Sequence, residues 1–159
     1  MERRKEILSY NVEWLKFAET KATLLLTILG VVLTIIYTNA NDVYSSITNS
    51  LTQIILSAIT CFSIIMTLLF CFITINPRLK NVIGKSVIYY GTIKNFDTYI
   101  EYNNKLNSIS DEDYKEMLSE QIYINSKIAW SKYINVGWAI RFFSIMILSI
   151  LVQIIITLL

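Results

Sequence analysis

A base needs a flat surface to stack on and its phosphate needs positive charge, and one stretch of this chain supplies both. Tyr89 and Tyr90 stand beside Gly91 in irregular chain rather than on a long helix face, with Arg78 before them and Lys94 after. Seven of the ten tyrosines lie in this region and beyond it: Tyr89, Tyr90, Tyr99, Tyr102, Tyr114, Tyr123 and Tyr133. The plainer account of most of these is helix–helix packing, each hydroxyl reaching water or a partner. A second constellation, Ala18-Glu19-Thr20-Lys21-Ala22, sits where an apolar run begins. Glu19 and Lys21 are two positions apart, so on one helix they do not face each other. Either they anchor the helix at an interface, with Lys21 reaching for the headgroups, or one of them points into a bundle and contacts a ligand or another subunit.

Catalysis is a poor fit. The 159 residues include no His, which removes the commonest general base and metal ligand. There is no Gly-rich phosphate loop and no nucleophile elbow. The acids fall on helix faces where spacing pairs Asp97 and Glu101 with Lys105, and Asp111 with Lys115. Cys61 and Cys71 lie in one apolar run, about 280° apart around a helix, so they supply neither a disulfide nor a zinc framework. The expectation is a chain that is not an enzyme, with no metal site and no cofactor.

These residues are positioned by apolar segments. All fourteen Lys and Arg residues fall in 1–21 and 78–141; the stretch 22–77 carries only Asp42, and 142–159 carries no charge. Hydrophobic residues make up 54% and mean hydropathy is +0.51, both high for a water-soluble domain. Four Gly and one Pro leave few turns. The expected fold is all-α: an integral membrane protein with three transmembrane helices and a helical cytoplasmic segment. Basic residues near span ends stay cytoplasmic, and an inward amino terminus puts every Lys and Arg on that side.

The chain then divides into an amphipathic cytoplasmic leader (1–19), a first span (20–38), a short outer loop (39–50), a second span (51–75), a cytoplasmic helical segment (76–138) and a third span (139–159). Four acids in the leader argue for an anchor rather than a cleaved signal peptide. Asn76-Pro77-Arg78 closes the second span, because Pro cannot continue a helix. A helix is expected from about Asn95 to Leu106. Ser110-Asp111-Glu112-Asp113 reads as the start of another that can run into the third span. Trp14 and Trp138 flank cytoplasmic span ends, as an aromatic belt does. Each span also carries a small or weakly polar stripe: Thr23, Thr27, Gly30, Thr34; Gln53, Ser57, Thr60, Thr67, Cys71, Thr74; and Ser149, Gln153, Thr157. Such residues let helices approach closely in lipid, or line a water path if several copies assemble.

The run Trp14-Leu15-Lys16-Phe17-Ala18-Glu19-Thr20-Lys21-Ala22-Thr23-Leu24-Leu25-Leu26, followed by Gly30, resembles the A-D-x-K-A opening of the Pycsar transmembrane effectors, with Glu19 in place of the usual Asp. Asn76-Pro77-Arg78, the aromatic-aromatic-Gly segment at Tyr89-Tyr90-Gly91, and Gln121-Ile122-Tyr123 through Lys132-Tyr133 fit the same layout. The resemblance implies a membrane effector of bacterial anti-phage defence, in the inner membrane, homo-oligomeric and not enzymatic. Its ligand would be a cyclic pyrimidine mononucleotide, cyclic UMP or cyclic CMP, made by a companion cyclase. It would bind no nucleic-acid polymer, and it would act by damaging the bilayer. On that reading Arg78, Tyr89, Tyr90 and Lys94 contact the ligand, while Glu19 and Lys21 couple sensor to spans. The rival expectations are a constitutive helical adaptor that docks a cytoplasmic partner, and a small channel gated by another stimulus. Voltage is disfavoured as that stimulus, since no span carries a row of Arg.

Overall fold

A computed structural model describes residues 2–41, 45, 50–76 and 86–158. The protein is all-α, about 90% helical, with no strand among the described residues. The helices are α1 (Glu2–Thr38), α2 (Leu51–Ile75), α3 (Tyr90–Ile93), α4 (Tyr99–Ser108) and α5 (Asp111–Leu158). Of these, α1, α2 and α5 are long and apolar enough to cross a membrane.

Local chemistry sets the helix ends. Ser50 caps α2 by accepting a hydrogen bond from the Gln53 amide at 3.2 Å. Its last turn closes on Asn76, whose amide donates to Phe72 O at 2.9 Å. The outer loop lies largely outside the described residues, as do Pro77 and Arg78. The helix expected from Asn95 starts instead at Tyr99, because Thr98 is its cap. The Thr98 hydroxyl accepts from the Glu101 amide at 3.1 Å, and the Glu101 carboxylate accepts from the Asp97 amide at 3.1 Å. Glu101, which spacing alone places beside Lys105, thus also serves the helix cap. Ser110 caps α5 through the Asp113 amide at 3.1 Å. Lys115 sits 3.8 Å from Glu112 rather than pairing with Asp111. From there α5 runs 48 residues without a break, through Gly137.

The chain forms two compact units. The first comprises Met1–Lys16 and Pro77–Ser131. Its interior is small: Val87, Thr92, Leu118 and Ala129, with two buried amides, Asn11 and Asn125. The Asn11 amide spends both protons on α5, donating to Ile122 O at 3.1 Å and to Ser126 Oγ at 2.9 Å. A buried polar side chain of α1 therefore fixes its register on α5.

The second unit comprises Phe17–Asn76 and Lys132–Leu159. Its burial pattern is the inverse of that in a water-soluble bundle. The buried residues of α2 are Gln53, Thr60, Ser63, Thr67, Cys71 and Thr74. Its large apolar residues, Leu51, Ile54, Ile55, Phe62, Ile65, Leu69 and Phe72, are exposed. Hydrocarbon gives no reward for hiding Leu or Ile, so close packing and hydrogen bonding decide the interior. Two of the three predicted polar stripes accordingly face each other. Gln153 donates to the Thr60 hydroxyl at 3.3 Å, Thr60 to Ser149 Oγ at 2.9 Å, and Ser149 to Leu56 O at 3.0 Å. Gln53 reaches Thr157 at 3.2 Å. Towards the other end Phe70 stacks on Phe142, with centroids 5.9 Å apart, and on Trp138 at 6.3 Å. The core of the unit is Ala18, Ala22, Cys71, Val136 and Ala139. The third stripe, Thr23, Thr27, Gly30 and Thr34, is exposed among the described residues.

If the surrounding medium is hydrocarbon, filling the buried seam harms the protein and altering the exposed apolar face does not. Thr67→Leu, at a fully buried position, is expected to cost about 1–3 kcal/mol by overpacking. Ile65→Leu, on the exposed face, is expected to leave the unfolding temperature in micelles unchanged.

Candidate functional site

Two arrangements hold the residues that the sequence singles out. The first is the segment 86–96, which the first unit pins down with backbone and side-chain hydrogen bonds. Thr92 is fully buried, and its hydroxyl lies 3.0 Å from Ser86 O and 2.8 Å from Tyr89 O. The amides of Thr92 and Ile93 also donate to Tyr89 O, at 2.9 and 3.0 Å. Tyr102 donates to Val87 O at 3.3 Å, and its ring meets Phe96 edge-on at 5.4 Å. Tyr89 is half-buried with its ring against Gly91: a Cβ added at Gly91 would lie 2.5 Å from Tyr89 Cε1. The Gly of the aromatic-aromatic-Gly segment thus leaves room for close approach of the ring. Tyr90 opens α3, with its side chain outside the description, and Lys94 is exposed in the turn that follows. Arg78 lies outside the described residues. The segment brings Tyr89 and Lys94 into one ordered turn.

The second arrangement lies in the other unit and joins α1 to α5. Lys132 is 3% exposed, and its ammonium is 2.5 Å from a carboxylate oxygen of Glu19, whose side chain is 44% exposed. Next to this pair, the Lys21 ammonium lies 5.5 Å from the centre of the Tyr133 ring, a cation–π contact. Glu19 and Lys21 point in different directions, as their spacing requires, yet both end on α5. Ala18 and Ala22 flank Glu19 in the core with Val136 and Ala139. Their small side chains let the two helices approach closely enough for a short glutamate to reach the lysine.

Sequence reasoning found Glu19 and Lys21 but not their partner. A signal was present. Lys132 lies three positions after Ala129, four before Val136 and seven before Ala139, so it stands alone in an otherwise apolar stripe. A lone Lys in such a stripe needs an acid from another helix, because an unpaired buried charge is costly.

The pair predicts asymmetric variants. Glu19→Leu leaves a buried ammonium without its acid and is expected to cost ~3 kcal/mol. Lys132→Met keeps the packing volume and leaves a carboxylate that water reaches, at ~1 kcal/mol or less. Unfolding in micelles reads both values, and equal losses would mean that burial of Lys132 is not what makes the pair matter.

No curated protein and no solved structure matches the chain. The PycTM family, described as the Pycsar effector protein domain, matches residues 3–159. That span includes both motifs that meet at the Glu19–Lys132 contact, and the three membrane-length helices fit a lipid bilayer environment. The chain belongs to the Pycsar effector protein family, a family of membrane effectors with a role in anti-phage defence.

Proposed function

We propose that this protein senses a cyclic pyrimidine mononucleotide, cyclic UMP or cyclic CMP, and in response impairs the bacterial inner membrane so that phage replication stops. The observation that carries this reading is the family match over residues 3–159. The ligand comes from a companion cyclase. Recognition is assigned to the cytoplasmic segment: the aromatic rings of Tyr89 and Tyr90 take the pyrimidine, while Arg78 and Lys94 take the phosphate. Residues 76–138 are the cytoplasmic part, the amino terminus faces inward, and 20–38, 51–75 and 139–159 are the spans, following the distribution of Lys and Arg. The protein assembles as a homo-oligomer and performs no catalysis.

Coupling is assigned to Glu19 and Lys21. The Glu19–Lys132 pair and the Lys21–Tyr133 contact tie α1 to α5 at the point where α1 becomes free of charge, nine positions before the last charge of α5, Arg141. A ligand that favours one arrangement of these helices over another shifts the bundle by its difference in affinity for the two. A buried lysine with one acid in reach suits that role, since moving α1 along α5 would leave its charge unpaired.

The direct experiment is dye release from liposomes carrying the folded, inserted protein, with cyclic UMP, cyclic CMP and cyclic AMP added separately. Release is expected with one pyrimidine nucleotide only. Silence with all three would favour the adaptor reading. Calorimetry tests the placement of the ligand: Arg78→Ala and Tyr90→Ala are each expected to weaken binding about tenfold or more. Unchanged affinity in both would move the site elsewhere.

A further inference from the structure

We infer that the seam between α2 and α5 is the face this protein turns to water when it acts, so that water and small polar solutes cross the bilayer between these two helices of one chain. The inference rests on the membrane-impairing reading above and adds where the leak runs. The buried row of α2 is Gln53, Thr60, Ser63, Thr67, Cys71 and Thr74. From Gln53 to Thr74 it rises roughly 31 Å at 1.5 Å per residue, about the thickness of the hydrocarbon layer. Ser149, Gln153 and Thr157 of α5 bond across to its Gln53–Thr60 end. Those bonds between helices account for Gln53 and Thr60, but not for Ser63. Ser63 is 1% exposed, and its hydroxyl has no hydrogen-bond partner among the described residues. Thr67 and Thr74 turn back on their own helix, donating at 2.8 Å to Ser63 O and Phe70 O; the Ser63 hydroxyl does not. The hydroxyl of Ser57 on α2 and the amide nitrogen of Asn135 on α5 are likewise buried without a partner among the described residues. Asn135 lies fourteen positions before Ser149, on nearly the same side of α5.

A buried donor without a partner is costly, and Ala allows the same close approach without that cost. The chain does use Ala where approach alone is needed, at Ala18, Ala22 and Ala139. Stranded polar groups along a row of hydroxyls are groups that water satisfies as the helices part. The chemistry also sets what passes. Residues 51–75 and 142–159 contain no Lys, Arg, Asp or Glu, so the path has no charged ring to select an ion. Apolar bulk shuts the seam in this structure. Phe142 meets Phe62 edge-on at 6.0 Å and stacks on Phe70 at 5.9 Å, and Met146, about one turn further along α5, is fully buried. Such a constriction keeps water out until its two sides separate.

The two native cysteines make the test direct, since Cys71 is buried in the seam and Cys61 is exposed on the same helix. Full-length protein in dye-loaded vesicles is treated with a charged thiosulfonate reagent, which labels thiols that water reaches, with and without cyclic UMP or cyclic CMP. Cys71, in Cys61→Ala protein, is expected to label about tenfold faster once the activating nucleotide is present. Ser63→Cys, with both native cysteines changed to Ala, is expected to do the same. Cys61, in Cys71→Ala protein, and Ile65→Cys, exposed on α2, are expected to stay unlabelled. A native thiol carries the main readout, so the result does not depend on Ser63→Cys folding. Dye release without labelling of Cys71 or Ser63→Cys leaves the membrane-impairing reading standing and overturns the seam. Labelling of all four positions alike reports a bundle that has come apart, and overturns it too. If neither nucleotide releases dye or labels the seam, the reading and the inference fall together.

Discussion

A helix immersed in hydrocarbon gains nothing by hiding its leucines, and the interior of the second unit follows from that constraint. What remains to hold three helices together is contact area at short range and hydrogen bonds that lipid cannot supply. The buried seam of α2 therefore consists of Gln, Thr, Ser and Cys, and the chain of hydroxyls from Gln153 to Leu56 O does work that a leucine layer does in water. The same constraint explains the alanines around Glu19. They bring backbones together, and only at that short distance can α1 offer an acid to a lysine buried on α5.

Much of this was legible in the sequence, for identifiable reasons. The membrane-length helices were, because charge is absent over stretches too long for chance. The start of α5 was, because Ser110 and the three acids after it form a strong local signal. The start of α4 was misplaced because Asn95 and Phe96 carry no breaker, and the decisive event is a reciprocal bond between Thr98, Glu101 and Asp97. The polar stripes were visible, but not which ones face inward. A stripe at helical spacing defines a face, and only the neighbouring helices decide whether that face is covered.

The candidate site divides along the same line. Glu19 and Lys21 stood out because charge at the edge of an apolar run is conspicuous. Lys132 was visible only as half of a Lys-Tyr step, since its meaning depends on a residue more than a hundred positions away. The turn at 86–96 is the opposite case. Bonds among near neighbours shape it, and Tyr89, Gly91 and Thr92 stand within four positions of one another. What its sequence hid was the reason for the glycine, which lies in the bulk of a ring two residues earlier.

That ring has a consequence for how such chains vary in descent. With the Tyr89 ring where it stands, a side chain at 91 would meet it, because the two compete for the same space. A larger residue at 91 needs the ring at 89 to swing away or to be smaller. Two positions that look independent in the sequence therefore share one volume, and substitutions at them are coupled.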